Sequence, residues 1–308
     1  MKKWVKMVKV SIVIPYWNGA EKIKKHLPKV LEFAHKNNIK EIIASDDAST
    51  DGTVGLLKND FPEVIIVERK KNEGFASNVN SGFAKASGDL VFLLNSDASP
   101  DMDALKYALP HFENEQVFSV GCNVGGLWAI GKFENGYFWH NEADVEQEGE
   151  IKSHQTLWAS GGSAIFRKSV WDELKGLDEL FNPFYVEDVD LGYRATKRGY
   201  INIWEPKSKV EHYKEKGVIE SNFSRNKIND TAERNMLIFI WKNITSEKLI
   251  NEHKKALIRR LFSHPKYWSI FLAAFPKYPE IMKKREIERK YARLTDEEIF
   301  NIFSSTQV

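Results

Sequence analysis

Cysteine is nearly absent from this sequence. Cys122 stands alone among 308 residues, so no internal disulfide can form, and a reducing compartment suits the chain. Long apolar runs are missing too: YWSIFLAAF, residues 267–275, falls far short of the ~20 residues that a membrane span requires. Charge of one sign is not in excess, and a formal net charge of +2 offers no global attraction to nucleic acid. The opening MKKWVKMVKVSIVIPY sets basic residues before apolar ones. Lys6 and Lys9 interrupt it and no small-residue cleavage site follows, so it reads as a first strand with a short lead-in rather than a secretion signal. Repeats and low-complexity segments are absent. So are the two common nucleotide fingerprints, a G-x-x-x-x-G-K-S/T phosphate loop and a G-x-G-x-x-G turn after the first strand.

What is there is an ordinary globular composition, 42% hydrophobic and 29% charged. The first half alternates two periodicities. Strands are expected at 8–15, 41–45, 64–67 and 90–94, and helices at 20–36, 51–58 and 75–86. Such alternation implies a mostly parallel central sheet with helices on both faces. The second half is less regular. Strands are expected at 117–124 and 128–133, a polar acidic loop over ENGYFWHNEADVEQEGE (134–150), an apolar segment at 158–166, a short helix from Glu187 and an edge strand at 209–212. From Asn226 the pattern is helical to the end. A boundary therefore falls near residue 222, with a nucleotide-binding half over about 1–100, an acceptor half over about 101–222 and a helical C-terminal extension over 223–308.

In parallel sheets, ligands sit beyond the carboxyl ends of the strands. Four consecutive strand ends here carry acids, amides and glycines: Pro15, Tyr16 and Asn18; Asp46 and Asp47; Asn72 and Gly74; and Asn95, Ser96 and Asp97. Each fragment alone has a structural explanation, as a helix cap or a turn. All four on one rim point instead to a site that reads a base edge or holds a divalent cation against a diphosphate.

Five stretches occur in one order: VSIVIPYWNG, IIASDDASTDGT, NEGFASNVNSGFAKASGDLVFLLNSDA, SGGSAIFRKSVWDELKGLDELF and YVEDVDLGYRATKRGY. Together they resemble the family 2 inverting glycosyltransferases of the GT-A fold, in particular their rhamnosyltransferase-like branch. The resemblance covers roughly 8–212. It implies transfer of a sugar from a nucleotide diphosphate, dTDP-rhamnose or a UDP-sugar, to a glycan or lipid-linked acceptor in polysaccharide biosynthesis. It implies that Pro15 and Tyr16 line the nucleoside pocket, that Asp47 reads the base with Asp46 beside it, and that Gly74 lets the backbone approach the nucleotide. Asp97 matches the end of the family's D-x-D motif, with Asn95 in place of the first acid. Asn95, Asp97 and His212 would then hold a Mn or Mg ion. Asp188 is the implied general base, next to Glu187. Trp158, Gly161 and Gly162 form the implied platform between donor and acceptor, and Arg234 and Asn235 lie near the implied diphosphate.

Two features stay open on the residues alone. Acids favour a first helical turn, so Asp188 is expected to be a weak base with a low pKa, and Asp190 with Arg194 reads as an i, i+4 ion pair on an exposed or half-buried face. The tail interleaves Lys254, Lys255, Arg259, Arg260, Lys266, Lys277, Lys283 and Lys284 with Trp268, Phe271, Leu272 and Phe275. That pattern suits either peripheral contact with an anionic membrane or an inward-packed helical subdomain. A cytoplasmic location, peripheral at the inner face of the cell membrane in the first case, is expected. Two other functions compete: a nucleotidyltransferase, whose G-x-G-T-R-type loop is missing from PYWNGAEK, and an inactive nucleotide- or glycan-binding protein on the same fold.

Overall fold

The computed structural model describes residues 8–144, 152–213 and 217–303. The first half runs β1 (Val10–Tyr16), α1 (Ala20–Lys36), β2 (Glu41–Asp46), α2 (Thr53–Asp60), β3 (Ile65–Glu68), α3 (Phe75–Lys85) and β4 (Leu90–Leu94). It continues through β5 (Ala98–Pro100), α4 (Ala104–Ala108), β6 (Val117–Asn123), β7 (Leu127–Glu134), β8 (Tyr137–Asp144), β9 (His154–Gln155), β10 (Ser163–Arg167), α5 (Lys168–Leu174), α6 (Glu187–Lys197) and β11 (Ile201–His212). The remainder is helical: α7 (Val218–Asn222), α8 (Arg225–Asn243), α9 (Glu247–Ser263), α10 (Tyr267–Ala274), α11 (Tyr278–Tyr291) and α12 (Asp296–Phe303).

The main sheet has the order β3-β2-β1-β4-β10-β6-β11-β5, with β9 beside β11. The β1 to β4 strands are mutually parallel, and β10 runs against both β4 and β6. Side chains alternate across a strand, and here both sets are apolar. Ile12, Ile14, Phe92 and Leu94 face a core with Ile23, Leu27 and Phe33 of α1, while Val13, Val91 and Leu93 face one with Val79 and Phe83 of α3. This two-sided burial is why residues 90–94 read as an uninterrupted apolar run. The α1 helix matches its register because Ile23, Leu27, Val30 and Ala34 recur at helical spacing and are all buried.

The second half departs from the sequence expectation at two places. The acidic stretch taken as a loop is, over 137–144, the return strand of a hairpin with β7, and Glu134 pairs with Tyr137. Asn135 and Gly136 both adopt positive φ, at 55° and 81°, which is the two-residue Asn-Gly turn that joins antiparallel strands. Residues 145–151 lie outside the described residues. The expected short edge strand at 209–212 is the end of a twelve-residue strand, β11, interior to the sheet, whose register against β6 shifts between Glu205 and Lys209. Pro206 and the polar Lys207–Ser208 pair break the alternation there, which hid the strand.

The helices after Arg225 share a third core with β7, β8 and α6. Phe138, Leu157, Val189 and Tyr193 pack with Leu237, Phe239, Ile281 and Phe300. At its edge Asp190, fully buried, accepts from Arg194, Lys242 and Asn243 at 2.7 Å each. The expected Asp190–Arg194 pair is therefore present but buried, because α8 covers the helix face on which it lies.

Candidate functional site

Parallel pairing puts the carboxyl ends of β1, β2 and β4 on one edge, and β11 runs in the same direction through two reversals at β10. The β5–β11 ladder pairs His212 with Ala98, which sets the imidazole Nε2 3.3 Å from Oδ1 of Asp97. A cavity of about 450 Å³ opens at this edge. Pro15, Tyr16, Asp47, Asn72, Gly74, Asn95, Ser96, Asp97 and His212 all line it, so nine of the residues picked out from the sequence converge. Lys22 of α1, Phe75 of α3, Tyr185 and the α7 residues Val218 to Glu220 complete its walls.

Asp47 is buried on the cavity wall. Its carboxylate accepts from the backbone N–H of Gly74 at 2.9 Å and of Glu73 at 3.2 Å, and pairs with Arg69 Nε at 2.9 Å. Burial nonetheless pushes its pKa up, against the pull of those donors and of Arg69. Arg69 carried no recognised signal beyond its place in the basic connector after β3. Asn18 and Asp46 do not line the cavity. Asn18 accepts from Thr50 N–H at 2.8 Å, and Asp46 accepts from Ser49 N–H at 2.9 Å, so both tie down the loop beneath Asp47. Gly74 has φ +99°, and a Cβ there would fall 2.7 Å from Cα of Pro183. The close approach at Gly74 is thus to a loop of the chain itself.

Asp97 is engaged by two side chains, a lysine and an imidazole. Lys22 Nζ pairs with its Oδ2 and His212 with its Oδ1. Burial pushes the carboxyl up, but hydrogen bonds from His212 and Lys22 outweigh it and hold the group well below the usual carboxylate range. Nothing in the sequence marks Lys22, since a lysine in the first turns of an amphipathic helix looks like any solvated one.

Glu187 and Asp188 of α6 do not line the cavity, nor do Gly161 and Gly162, but hydrogen bonds link this segment to the rim. Gly161 N–H donates to Asp188 Oδ2 at 3.2 Å, and the next residue, Gly162, accepts at 2.9 Å from the backbone N–H of Asn95. A Cβ on Gly162 would fall 2.4 Å from the Asn95 amide, so glycine is what lets the two segments meet. Burial raises the pKa of Asp188 despite hydrogen bonds from Gly161 and Val189. The expectation of a low pKa from the helix N-terminus is thus overturned, because desolvation outweighs the end-of-helix field. Glu187, buried with Oε2 lacking a hydrogen-bond partner, is pushed up to about 8 by burial and then by the charge of Asp188. Trp158 is buried in the helical core, edge-on to His140, and does not line the cavity.

The approach to α6 is strained. Tyr185 and Val186 have φ of 72° and 77°, values that a β-branched valine rarely adopts. Asn235 of α8, fully buried, holds the turn: its Nδ2 lies 2.7, 2.9 and 2.8 Å from the carbonyls of Phe181, Phe184 and Tyr185. Arg234 donates to the Asn182 carbonyl at 2.6 Å. The Arg234–Asn235 pair, expected near a diphosphate, instead braces the loop that forms the cavity wall at Pro183 to Tyr185.

This sheet, with its rim of acids and amides over a cleft, is the GT-A fold of glycosyltransferases. A family model described as "Glycosyl transferase family 2" matches residues 11–175, and the chain belongs to that family. It is 27% identical over 210 residues to the probable glycosyltransferase YdaM of Bacillus subtilis, a match covering 62% of this chain and 47% of YdaM. It is 25% identical over 208 residues to an N-acetylglucosaminyl-diphospho-decaprenol L-rhamnosyltransferase of Mycobacterium tuberculosis, covering 56% and 66% respectively. The chain therefore spans about half to two thirds of the length of these curated relatives. Among solved structures, GalNAc-T7 with UDP, GalNAc and Mn2+ superimposes with a TM-score of 0.64 at 14% identity, over 85% of this chain and 57% of that one.

Proposed function

We propose that the chain is an inverting glycosyltransferase that moves a sugar from dTDP-rhamnose or a UDP-sugar to a glycan or lipid-linked acceptor in polysaccharide biosynthesis. One observation carries this reading. Asn95, at the rim where the donor diphosphate would lie, and Asp188, the candidate base, are hydrogen-bonded to the adjacent glycines 162 and 161. One two-residue glycine segment thus ties the rim residue to the candidate base, which supports reading the two as parts of one site.

In this reading the nucleoside enters between Pro15, Tyr16 and Asp47. Oδ2 of Asp47, which accepts from Gly74 N–H alone, keeps lone-pair capacity to accept from the ring imide of uracil or thymine. Asp188 takes the proton of the acceptor hydroxyl as it attacks the anomeric carbon from the face opposite the diphosphate. Its raised pKa makes it a better base than an ordinary aspartate. One displacement inverts the centre and needs no enzyme nucleophile.

A divalent cation, Mn or Mg, fits the donor set: a carboxylate oxygen of Asp97, an imidazole nitrogen of His212 and the amide of Asn95 on the same wall, at a point that already attracts positive charge. When bound, it would offset the charge on the departing diphosphate. Among the described residues no group of three His, Cys, Asp or Glu is assembled for a metal. Phosphate oxygens and water would complete the shell.

Calorimetric titration with UDP, dTDP and GDP, each with and without Mn2+ or Mg2+, tests the reading. Cation-assisted binding of a pyrimidine diphosphate, lost in Asp97→Ala, is expected. Absence of binding to all three would remove its basis.

A further inference from the structure

The helical region leaves an apolar surface uncovered. Along α9, Leu249, His253, Ala256, Leu257 and Leu261 are buried, while Ile258 and Phe262, one turn apart, stand out at 56% and 82% exposure. Along α10, Tyr267, Ile270 and Ala274 point inward, while Trp268, Leu272 and, just past the helix end, Phe275, spaced four and three, are exposed. Trp268, Phe271, Phe275 and Tyr278 follow one another in ring contacts at 5.8, 5.4 and 6.0 Å. A groove of about 380 Å³ lies among α8, α9, α10 and α11, with Leu257, Phe271 and Phe275 among its walls. Exposed aromatic and aliphatic side chains grouped in this way are unusual on a monomer's surface.

The same segment is far more basic than the chain as a whole. From Lys254 to Arg285 there are nine Lys and Arg against one acid, Glu280, in a chain whose net charge is only +2. Four of them turn inward: Arg260 pairs with Glu233, Lys284 with Asp178, and Lys277 and Arg285 donate to the carbonyls of Leu180 and Trp241. Lys254, Lys255, Arg259, Lys266 and Lys283 are exposed and form no ion pair among the described residues. Lys254 sits in the same row of α9 as Ile258 and Phe262, with Lys255 and Arg259 in the row beside it.

We propose that this face docks on an anionic lipid leaflet. The apolar row and the aromatic run enter the boundary between headgroups and acyl chains, and the five unpaired cations meet lipid phosphates. A second copy of the chain fits the surface poorly, because a two-fold interface brings the same patch against itself and would oppose like charges. No helix among the described residues is long and apolar enough to cross a membrane.

Vesicle flotation of the full chain tests this without donor or acceptor, so its outcome is separate from that of the transfer reading. Phosphatidylcholine vesicles are compared with vesicles that also contain phosphatidylglycerol. The wild-type chain should float with the anionic vesicles only and be released as salt rises, because the Debye length shortens. Phe262→Asp with Phe275→Asp, and separately Lys254→Glu with Lys255→Glu and Arg259→Glu, should each lower the bound fraction about tenfold or more. All five positions are exposed, and unchanged melting of the variants checks that they fold. Wild-type protein left at the bottom with anionic vesicles would overturn the proposal. So would equal binding by the variants, or a wild-type dimer in sedimentation that the variants dissolve.

Discussion

Glu187 and Asp188 are neighbours whose carboxyls respond differently to the same burial. Asp188 keeps two backbone donors, from Gly161 and Val189, whereas Glu187 Oε2 has no partner. General-base catalysis contributes roughly 10²–10⁴-fold, so Asp188→Asn should lower transfer by about that factor while leaving nucleotide binding intact by calorimetry; undiminished turnover would exclude Asp188 as the base. Glu187 titrates at about 8 when folded against an ordinary 4.5. The folded state then holds more protons than the unfolded one between those values, so stability declines as pH rises through that window. Glu187→Gln should flatten the decline and remove any basic limb near pH 8 from the rate profile. Thermal melts from pH 4 to 9 read the first effect and initial rates the second. A decline that persists in the variant would place the titrating group elsewhere.

At the scale of elements, two features govern how rigid the rim is. Phe33 of α1 is fully buried and edge-on to Phe92 of β4 at 5.9 Å. Phe33→Ala should cost about 3–5 kcal/mol in urea unfolding, the usual range for a large buried aromatic; a loss below 1 kcal/mol would mean that α1 collapses readily onto the sheet. On the other side, α8 holds the strained turn into α6 through Asn235. Asn235→Ala leaves buried carbonyls without a donor, which costs about 1–3 kcal/mol. Because the same loop forms the cavity wall, donor affinity and kcat should fall together in this variant, even well below its melting temperature. Unaltered kinetics would show that the loop holds itself. Asn135–Gly136 carries the signal of the β7–β8 hairpin, but the acidic residues that follow have the composition of a loop. The inner part of β11 was not legible, since Pro206 and a register shift disrupt its alternation.

The whole molecule sets the cation site. Asp97 lies just beyond β4 and His212 ends β11, and the β5–β11 ladder with the Tyr213 N–H bond to the Asp97 carbonyl brings them together. With at most these two strong ligands preassembled, Mn2+ and nucleotide should bind cooperatively. Mn2+ alone should bind weakly, and addition of UDP or dTDP should tighten it about tenfold or more, as expected when a ligand completes the shell. Independent binding of the two would count against a shared site. His212→Ala should weaken the ternary complex and also release part of the hold on the Asp97 carboxyl. That carboxyl is depressed in the folded state, so its share of stability is full above the ordinary aspartate range and disappears as pH falls through the lower, folded value.

Local chemistry was enough to determine the alternating sheet and helices, the rim of Asp47, Asn95 and Asp97, and the acidic start of α6, because periodicity and residue type act within a few neighbours. Tertiary packing alone decided the rest. It raised the pKa of Asp188 rather than lowering it, because burial depends on every element around the group. It turned Arg234 and Asn235 into braces for a loop and put Lys22 against Asp97, since pairings between distant segments leave no mark on either one. It also buried Trp158 while leaving Phe262 in solvent, though both are aromatic residues in apolar surroundings in the sequence. Which of them faces the core depends on what the fold sets against it, and for Phe262 nothing in the described chain does.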